Sequence, residues 1–485
     1  MKKYKQEWFG NVKGDLLAGI VVCMALIPEA IGFSIVAGVD PMVGVYASFV
    51  LSVTTAFLGG RPGLITAAAG ATALVLASLV ANYGMEYLFA ATILTGVIQL
   101  IFSFLKIGNL MKFIPKPVMV GFVNALGIMM FKSQLSHFEG GGILFVLAGI
   151  GIAIIYLFPK ITKKVPSPII AIITITIIVV VFKIDIKTLG DMGEISTTLP
   201  SFSLPSVPIN LETLRIILPY SVSVALVGIV ESLLTSQLVD ELTDTKSDKN
   251  RECFGQGFAN MLNGCFGGIA GCGMIGQTII NNNYGGRGRL STFVAGSSML
   301  ISVIVFNRYV VQIPVIALAS VMVVVSFSTF NWKSVKRIRS VPKTDTLVML
   351  STVVVVLMTD NLAYGVILGI IISSVVFVAK NSTIEVEKVE KNNNLQYILS
   401  GPLFFASTSK LISAFEYSNT YKNIDIDFSK VKIWDESAVD AIDKIITRYA
   451  NIGVTITLLG LSQSSKDFIK GMTVSQKEHI IFTDK

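Results

Sequence analysis

Two glutamates, Glu29 and Glu231, stand inside otherwise apolar stretches, "LIPEAIGF" at 26–33 and "GIVESLLT" at 228–235. A charged side chain at the centre of a bilayer costs ~2.5–3.5 kcal/mol on insertion scales, so such residues are candidates for function. Glu231 and Thr235 are four residues apart and share a helix face, a spacing that suits two oxygen ligands for Na+ or a proton acceptor with a hydroxyl neighbour. The alternative for either glutamate is a structural hydrogen bond between helices. The other unusual stretch is "GCGMIGQTIINNNYGGRGRLS" at 271–291, where glycines, amides and two arginines interrupt long apolar runs.

In a soluble protein that glycine and arginine content would suggest a phosphate-cradling loop. In an apolar chain it points to a broken helix. A helix beginning at mid-membrane presents unpaired N–H groups and about half a positive charge at its N-terminus. Helices starting near Gly70, in "AAAGAT" at 67–72, and near Gly276 would hold an anion between them without any arginine, provided they face each other. Glycine, alanine and threonine there let backbone approach the ligand. An anion entering a cell that is negative inside is opposed by ~2.3 kcal/mol per charge per 100 mV. A neighbouring carboxylate that takes up Na+ or a proton would offset this. Arg287 and Arg289, at the inner end of the stretch, read instead as topological anchors.

Composition sets the frame. Of 485 residues, 52% are hydrophobic and only 14% charged, against about 25% charged in an average soluble domain. Histidines are limited to His137 and His479, and Cys23, Cys253, Cys265 and Cys272 lack zinc-like spacing. With no visible nucleophile–base pair or metal cluster, the chain is expected not to be an enzyme and to carry no bound cofactor, only a co-transported Na+ or H+. The net charge of +8 falls in short bursts between apolar runs, which argues against a nucleic-acid partner and for a bilayer.

The elements that must position these residues are apolar runs near 15–38, 40–58, 66–82, 87–106, 114–134, 141–158, 167–183, 211–239, 253–269, 274–284, 290–306, 309–327, 343–359 and 361–380, about fourteen spans, with the third and tenth short or broken. Basic residues concentrate in the even-numbered connections, among them Arg61, Lys106, Lys112, Lys116, Lys160, Lys163, Lys164, Lys333, Lys336, Arg337, Arg339 and Lys343. The N-terminus is therefore expected in the cytoplasm of a multi-pass cell-membrane protein, retained and not cleaved. The long connection 184–210, with Asp185, Asp191 and Glu194, falls outside.

After Lys380 the pattern changes to that of a soluble α/β domain. "QYILSGPLFFAS", "NIDIDFS" and "VTITLLGL" read as strands, and "ESAVDAIDKIITRYA" as a helix burying Ala438, Ile442, Ile445 and Ile446. The expected division is a transmembrane domain 1–380, a linker 381–395 and a cytoplasmic domain 396–485. Within the first, "LIPEAIGF" pairs with "GIVESLLT", "FIPKPVMVGF" with "QIPVIALASV", and "AAAGAT" with "GCGMIG", each at an offset of about 200 residues. That order suggests two repeats, 14–185 and 211–380, in opposite orientation.

"DLLAGIVVCMALIPEAIGFSIVAGVDPMVGVYASF", "GGRPGLITAAAGATALV", "IPKPVMVGFVNALGI" and "MIGQTIINNNYGGRGRLS" resemble the SulP anion transporter family, whose animal relatives include anion exchangers and the motor protein prestin. "IDIDFSKVKIWDESAVDAI" resembles the STAS domain at that family's C-terminus, so the likeness covers almost the whole chain. The resemblance implies a seven-plus-seven inverted repeat, a core of spans 1–4 and 8–11, a gate of spans 5–7 and 12–14, elevator-type movement and a homodimer. It places Glu29, Phe33, Ala69, Gly70, Ala71, Gly276 and Gln277 at the anion pocket. Glu231 and Thr235, with backbone at Gly273 and Met274, fall at the sodium site of a bicarbonate-transporting branch.

Three positions depart from the family pattern. Ala71 stands where many relatives have proline. Gln277 replaces a basic residue of animal members, which speaks against chloride-exchanger behaviour. In the STAS segment Ser437 matches a phosphorylatable serine, but Ala438 replaces the glycine after it. The expected function is secondary active transport of bicarbonate or sulfate coupled to Na+ or H+. The alternatives are a small carboxylate such as fumarate, nucleobase–cation symport on a similar fold, and a membrane-anchored sensor in which STAS binds a cytoplasmic protein.

Overall fold

The computed structural model describes residues 2–109, 115–139, 141–162, 166–193, 198–391, 394–417, 421–463, 465–466 and 480–483. Lys112, Lys163, Lys164, Glu194, His479 and most of the chain after 466 lie outside them. Contacts divide the chain into two compact units, 1–370 and 371–485.

The first unit is helical. Its main helices are α1 Val12–Ala37, α2 Pro41–Leu58, α3 Gly70–Tyr83, α4 Met85–Phe104, α5 Lys116–Gln134, α6 Gly142–Leu157 and α7 Ser167–Val181. They continue as α8 Leu211–Thr243, α9 Lys249–Gly264, α10 Ile275–Asn283, α11 Arg289–Val305, α12 Val315–Thr329, α13 Lys343–Thr359 and α14 Leu362–Asn381. Among the described residues, eight helices are long and apolar enough to cross a membrane. Helix α8, with 33 residues, is roughly 50 Å long and exceeds a ~30 Å hydrocarbon core. At 14 and 9 residues, α3 and α10 reach about 21 and 14 Å, too short to cross.

What completes them is extended chain. Residues Thr66–Ala68 (β1) and Gly271–Gly273 (β2) precede α3 and α10 and pair antiparallel, Thr66 with Gly273 and Ala68 with Gly271. The run expected as helix from 66 therefore begins as a strand. An open strand pair at membrane depth survives only if protein covers its edges. Here Ser52 Oγ donates to Thr66 O at 2.6 Å, and Ala68 N donates to Ser48 Oγ at 3.2 Å. On the far edge Gly271 N donates to Asn260 Oδ1 at 2.9 Å and Gly273 N to Ser232 Oγ at 2.8 Å. Gly271 is required by close approach, since a Cβ there would lie 2.1 Å from Ala67 O.

Helices α1–α4 and α8–α11 pack chiefly on one another, and α5–α7 pack with α12 and α13. Helix α14 joins the second group where Gly365 and Gly369 let it approach Thr352 of α13. One basic residue read from sequence as a topological anchor is buried. Arg289 is 1% accessible, with Nε donating to Glu7 Oε2 and its two terminal nitrogens to Ala56 O and Gly59 O. It ties the start of α11 to the end of α2. Asp15, fully buried, accepts from Arg287 N and Gly288 N and so fixes the chain just before α11 to another helix.

The second unit contains a five-stranded sheet in the order β3 (Glu385–Lys391), β4 (Asn394–Leu403), β5 (Asn423–Ile433), β6 (Thr455–Leu459), β7 (Ile480–Thr483). Strands β3 and β4 are antiparallel and the remaining pairs parallel. Helix α15, Glu436–Ala450, buries Ala438, Ile442, Ile445 and Ile446 in the core beside Leu395, Tyr397 and Leu458. The stretch expected as a linker, 381–395, instead supplies β3. Its "EVEKVEK" is charged enough to pass for linker, as edge strands often are. Ser437 is exposed in the first turn of α15, whose N-cap is Asp435.

Candidate functional site

A cavity of about 490 Å³ opens where α1, α3, α8 and α10 meet α5 and α12. Helices α3 and α10 begin at its wall, after Ala69 and Met274, neither of which offers a capping side chain. Their first-turn N–H groups thus lack side-chain partners, and both positive helix ends lie at one cavity.

The lining includes Glu29, Phe33, Ala69, Gly70, Ala71, Glu231, Met274, Gly276 and Gln277. A Cβ on Gly276 would meet nothing within 4 Å, so this glycine borders open space. Gln277 is buried and within hydrogen-bonding reach of Glu29. Thr235 and Gly273 stand behind the wall. Thr235 Oγ1 donates to Gly273 O at 2.9 Å and to Glu231 O at 2.8 Å, and the Cys272 thiol donates to Glu231 Oε2 at 3.1 Å. The Thr235 hydroxyl and the backbone carbonyls of Glu231 and Gly273 therefore form one local group of oxygens, and the Glu231 carboxylate is held by the neighbouring Cys272 thiol; carbonyl, hydroxyl and carboxylate oxygens are the ligand types of a hard cation.

Among the described residues no lysine, arginine or histidine lines the cavity, while two carboxylates do. Positive potential comes from backbone alone. The opposite wall, from Phe122, Leu126 and Met130 on α5 and Val325, Ser328 and Thr329 on α12, was not singled out from sequence. Its only signal there was the pairing of "FIPKPVMVGF" with "QIPVIALASV", which marks both segments as equivalent without assigning them a surface.

The sulfate permease family model matches residues 12–143 and 142–352, and the STAS domain model matches 385–483. The chain belongs to the sulfate permease family. Among its relatives is the putative sulfate transporter YbaR of Bacillus subtilis, 52% identical over 471 residues, covering 96% of this chain and 98% of that one. The bicarbonate transporter BicA of Picosynechococcus is 28% identical, covering 79% and 73%. The solved transmembrane domain of a cyanobacterial BicA superposes with a TM-score of 0.67 at 26% identity, over 76% of this chain and 98% of that one. Murine Slc26a9 gives 0.85 at 18% identity, over 100% and 91%, and shares the fold. This sulfate permease family member is thus a membrane protein of the sulfate and bicarbonate anion transporters, with a C-terminal STAS domain.

Proposed function

We propose that the protein carries bicarbonate or sulfate by secondary active transport, coupled to Na+ or H+ through Glu231. The observation that carries this reading is the shared cavity of two uncapped helix N-termini and two carboxylates. Backbone N–H groups and helix dipoles are a ready anion site. Two ionised carboxylates beside it would repel the anion, at roughly 4 kcal/mol per unit-charge pair 4 Å apart for an effective dielectric of 20. A cation or proton on Glu231 removes that carboxylate's share of the repulsion, so cation loading favours anion binding. Relatives named for sulfate and for bicarbonate support the substrate class.

The cavity lies between the two helix groups, and both half-helices belong to one of them. This supports an elevator in which α1–α4 and α8–α11 carry the anion past α5–α7 and α12–α14. Basic residues Lys246, Lys249 and Arg251, around the connection from α8 to α9, add to those on the even-numbered side and support a cytoplasmic N-terminus and STAS domain. The test is uptake of labelled bicarbonate, sulfate and fumarate into proteoliposomes, with and without Na+ and pH gradients. Glu231→Gln should abolish the cation dependence. Unchanged Na+ and pH dependence in that variant would remove Glu231 from coupling.

A further inference from the structure

A second cleft, of about 340 Å³, opens between the first turn of α5, the short helix Trp332–Arg337 and the start of α13. It shares no lining residue with the central cavity. Its cations are Lys116, Lys333 and Arg337, and its one carboxylate is Asp345. Lys333 and Arg337 are four residues apart and so share a helix face. Lys336 and Arg339, just as basic and equally near, do not line the cleft.

Among the described residues none of the three cations forms an ion pair. Basic residues that serve only to orient a chain in a bilayer gain nothing from converging on one cleft, where they repel one another. The helix ends add to the field. Helices α5 and α13 begin after Pro115 and Pro342, which provide no side-chain cap, and both positive ends reach the cleft. The rest of the wall combines the polar side chains of Asn331, Ser334 and Thr346 with an apolar part that includes Val120 from α5 and Val341 and Met349 from the α13 side. Beside it Trp332, 53% accessible, is of the type that settles at membrane–water interfaces.

We infer that this cleft is a headgroup site for an anionic phospholipid. The phosphodiester is held by Lys116, Lys333 and Arg337, and the first acyl methylenes lie along Val120 and Met349. Inorganic phosphate offers similar anionic oxygens but nothing for the apolar part of the wall, which is why the lipid is favoured. The proposal does not depend on what the central cavity transports.

The test is a titration of the full-length protein in detergent with short-chain phosphatidylglycerol, phosphatidylcholine or inorganic phosphate, followed by thermal shift and native mass spectrometry. Phosphatidylglycerol should bind in preference to phosphatidylcholine. The double variant Lys333→Ala/Arg337→Ala should weaken it about 30-fold, while Lys336→Ala/Arg339→Ala should bind as wild type. All four side chains are exposed, and an unchanged size-exclusion profile verifies that each variant is folded. Equal loss in both double variants would reduce the effect to diffuse surface charge. Displacement of the lipid by inorganic phosphate at matching concentration would make the cleft a free-anion site. Either result, or equal binding of the two lipids, overturns the proposal.

Discussion

The two helix starts at the central cavity differ in one respect that separates a binding role from a packing role. A Cβ at Gly276 meets no atom within 4 Å, whereas at Gly70 it would lie 2.8 Å from Phe33 Cε1 and 3.2 Å from Met130 Sδ. Gly276→Leu should therefore fold without strain and gain up to ~1 kcal/mol from helix propensity. Gly70→Ala should lose ~1–3 kcal/mol to overpacking. If the first turn of α10 donates to the anion, a side chain at Gly276 displaces at least one hydrogen bond to a charged group, worth about 1.5–3 kcal/mol. That corresponds to roughly a 10- to 150-fold loss in affinity. The assay pairs proteoliposome uptake, read as KM and maximal rate, with thermal unfolding of the same preparation. Gly276→Leu should be as stable as wild type and nearly inactive, and Gly70→Ala should be destabilised. Wild-type KM in Gly276→Leu would show that the anion does not sit at this helix end.

Three further outcomes follow from the geometry. Arg289→Ala leaves Glu7 and the carbonyls of Ala56 and Gly59 without their buried partner, so it should cost ~3–5 kcal/mol and sharply lower the thermal midpoint. A midpoint within a degree or two of wild type would deny Arg289 its tying role. Thr235→Val removes the hydroxyl bonded to Gly273 O and should shift the Na+ or pH midpoint of uptake with little change in maximal rate, with Thr235→Ser restoring it; an unshifted midpoint would detach Thr235 from the cation group. Because carboxylates are the only charged side chains lining the cavity among the described residues, initial-rate kinetics should show the cation lowering the anion KM, and a KM independent of the cation would contradict the electrostatic argument.

How far the sequence discloses this depends on which interactions leave a mark along the chain. Apolar runs do, because bilayer thickness dictates their length, and observed helices such as α13 at Lys343–Thr359 coincide with expected bounds. Isolated carboxylates in apolar runs also do, and Glu29 and Glu231 both face the cavity. What leaves no mark is the satisfaction of buried polar atoms by distant partners. Arg289 has the same letter in the sequence whether it is an exposed anchor or a buried tie. Its three acceptors, more than 200 residues away, decide which. The same holds for Asn260, which reads as one polar residue in α9 yet closes the edge of β2 through Gly271 and receives no periodic signal for doing so. Strand β3 fails for the opposite reason, since an edge strand is charged to discourage further pairing and so imitates the linker it is not. The proposed anion seat combines both kinds of information. Its glycines can be read locally, but their exposure to a common cavity depends on β1 meeting β2 in antiparallel register across about 200 residues of chain. That pairing requires Ser48, Ser52, Ser232 and Asn260 to shield its edges from lipid. The polar residues that hold the site together are therefore as necessary to it as those that face the ligand, though only the latter have a sequence pattern that chemistry can interpret.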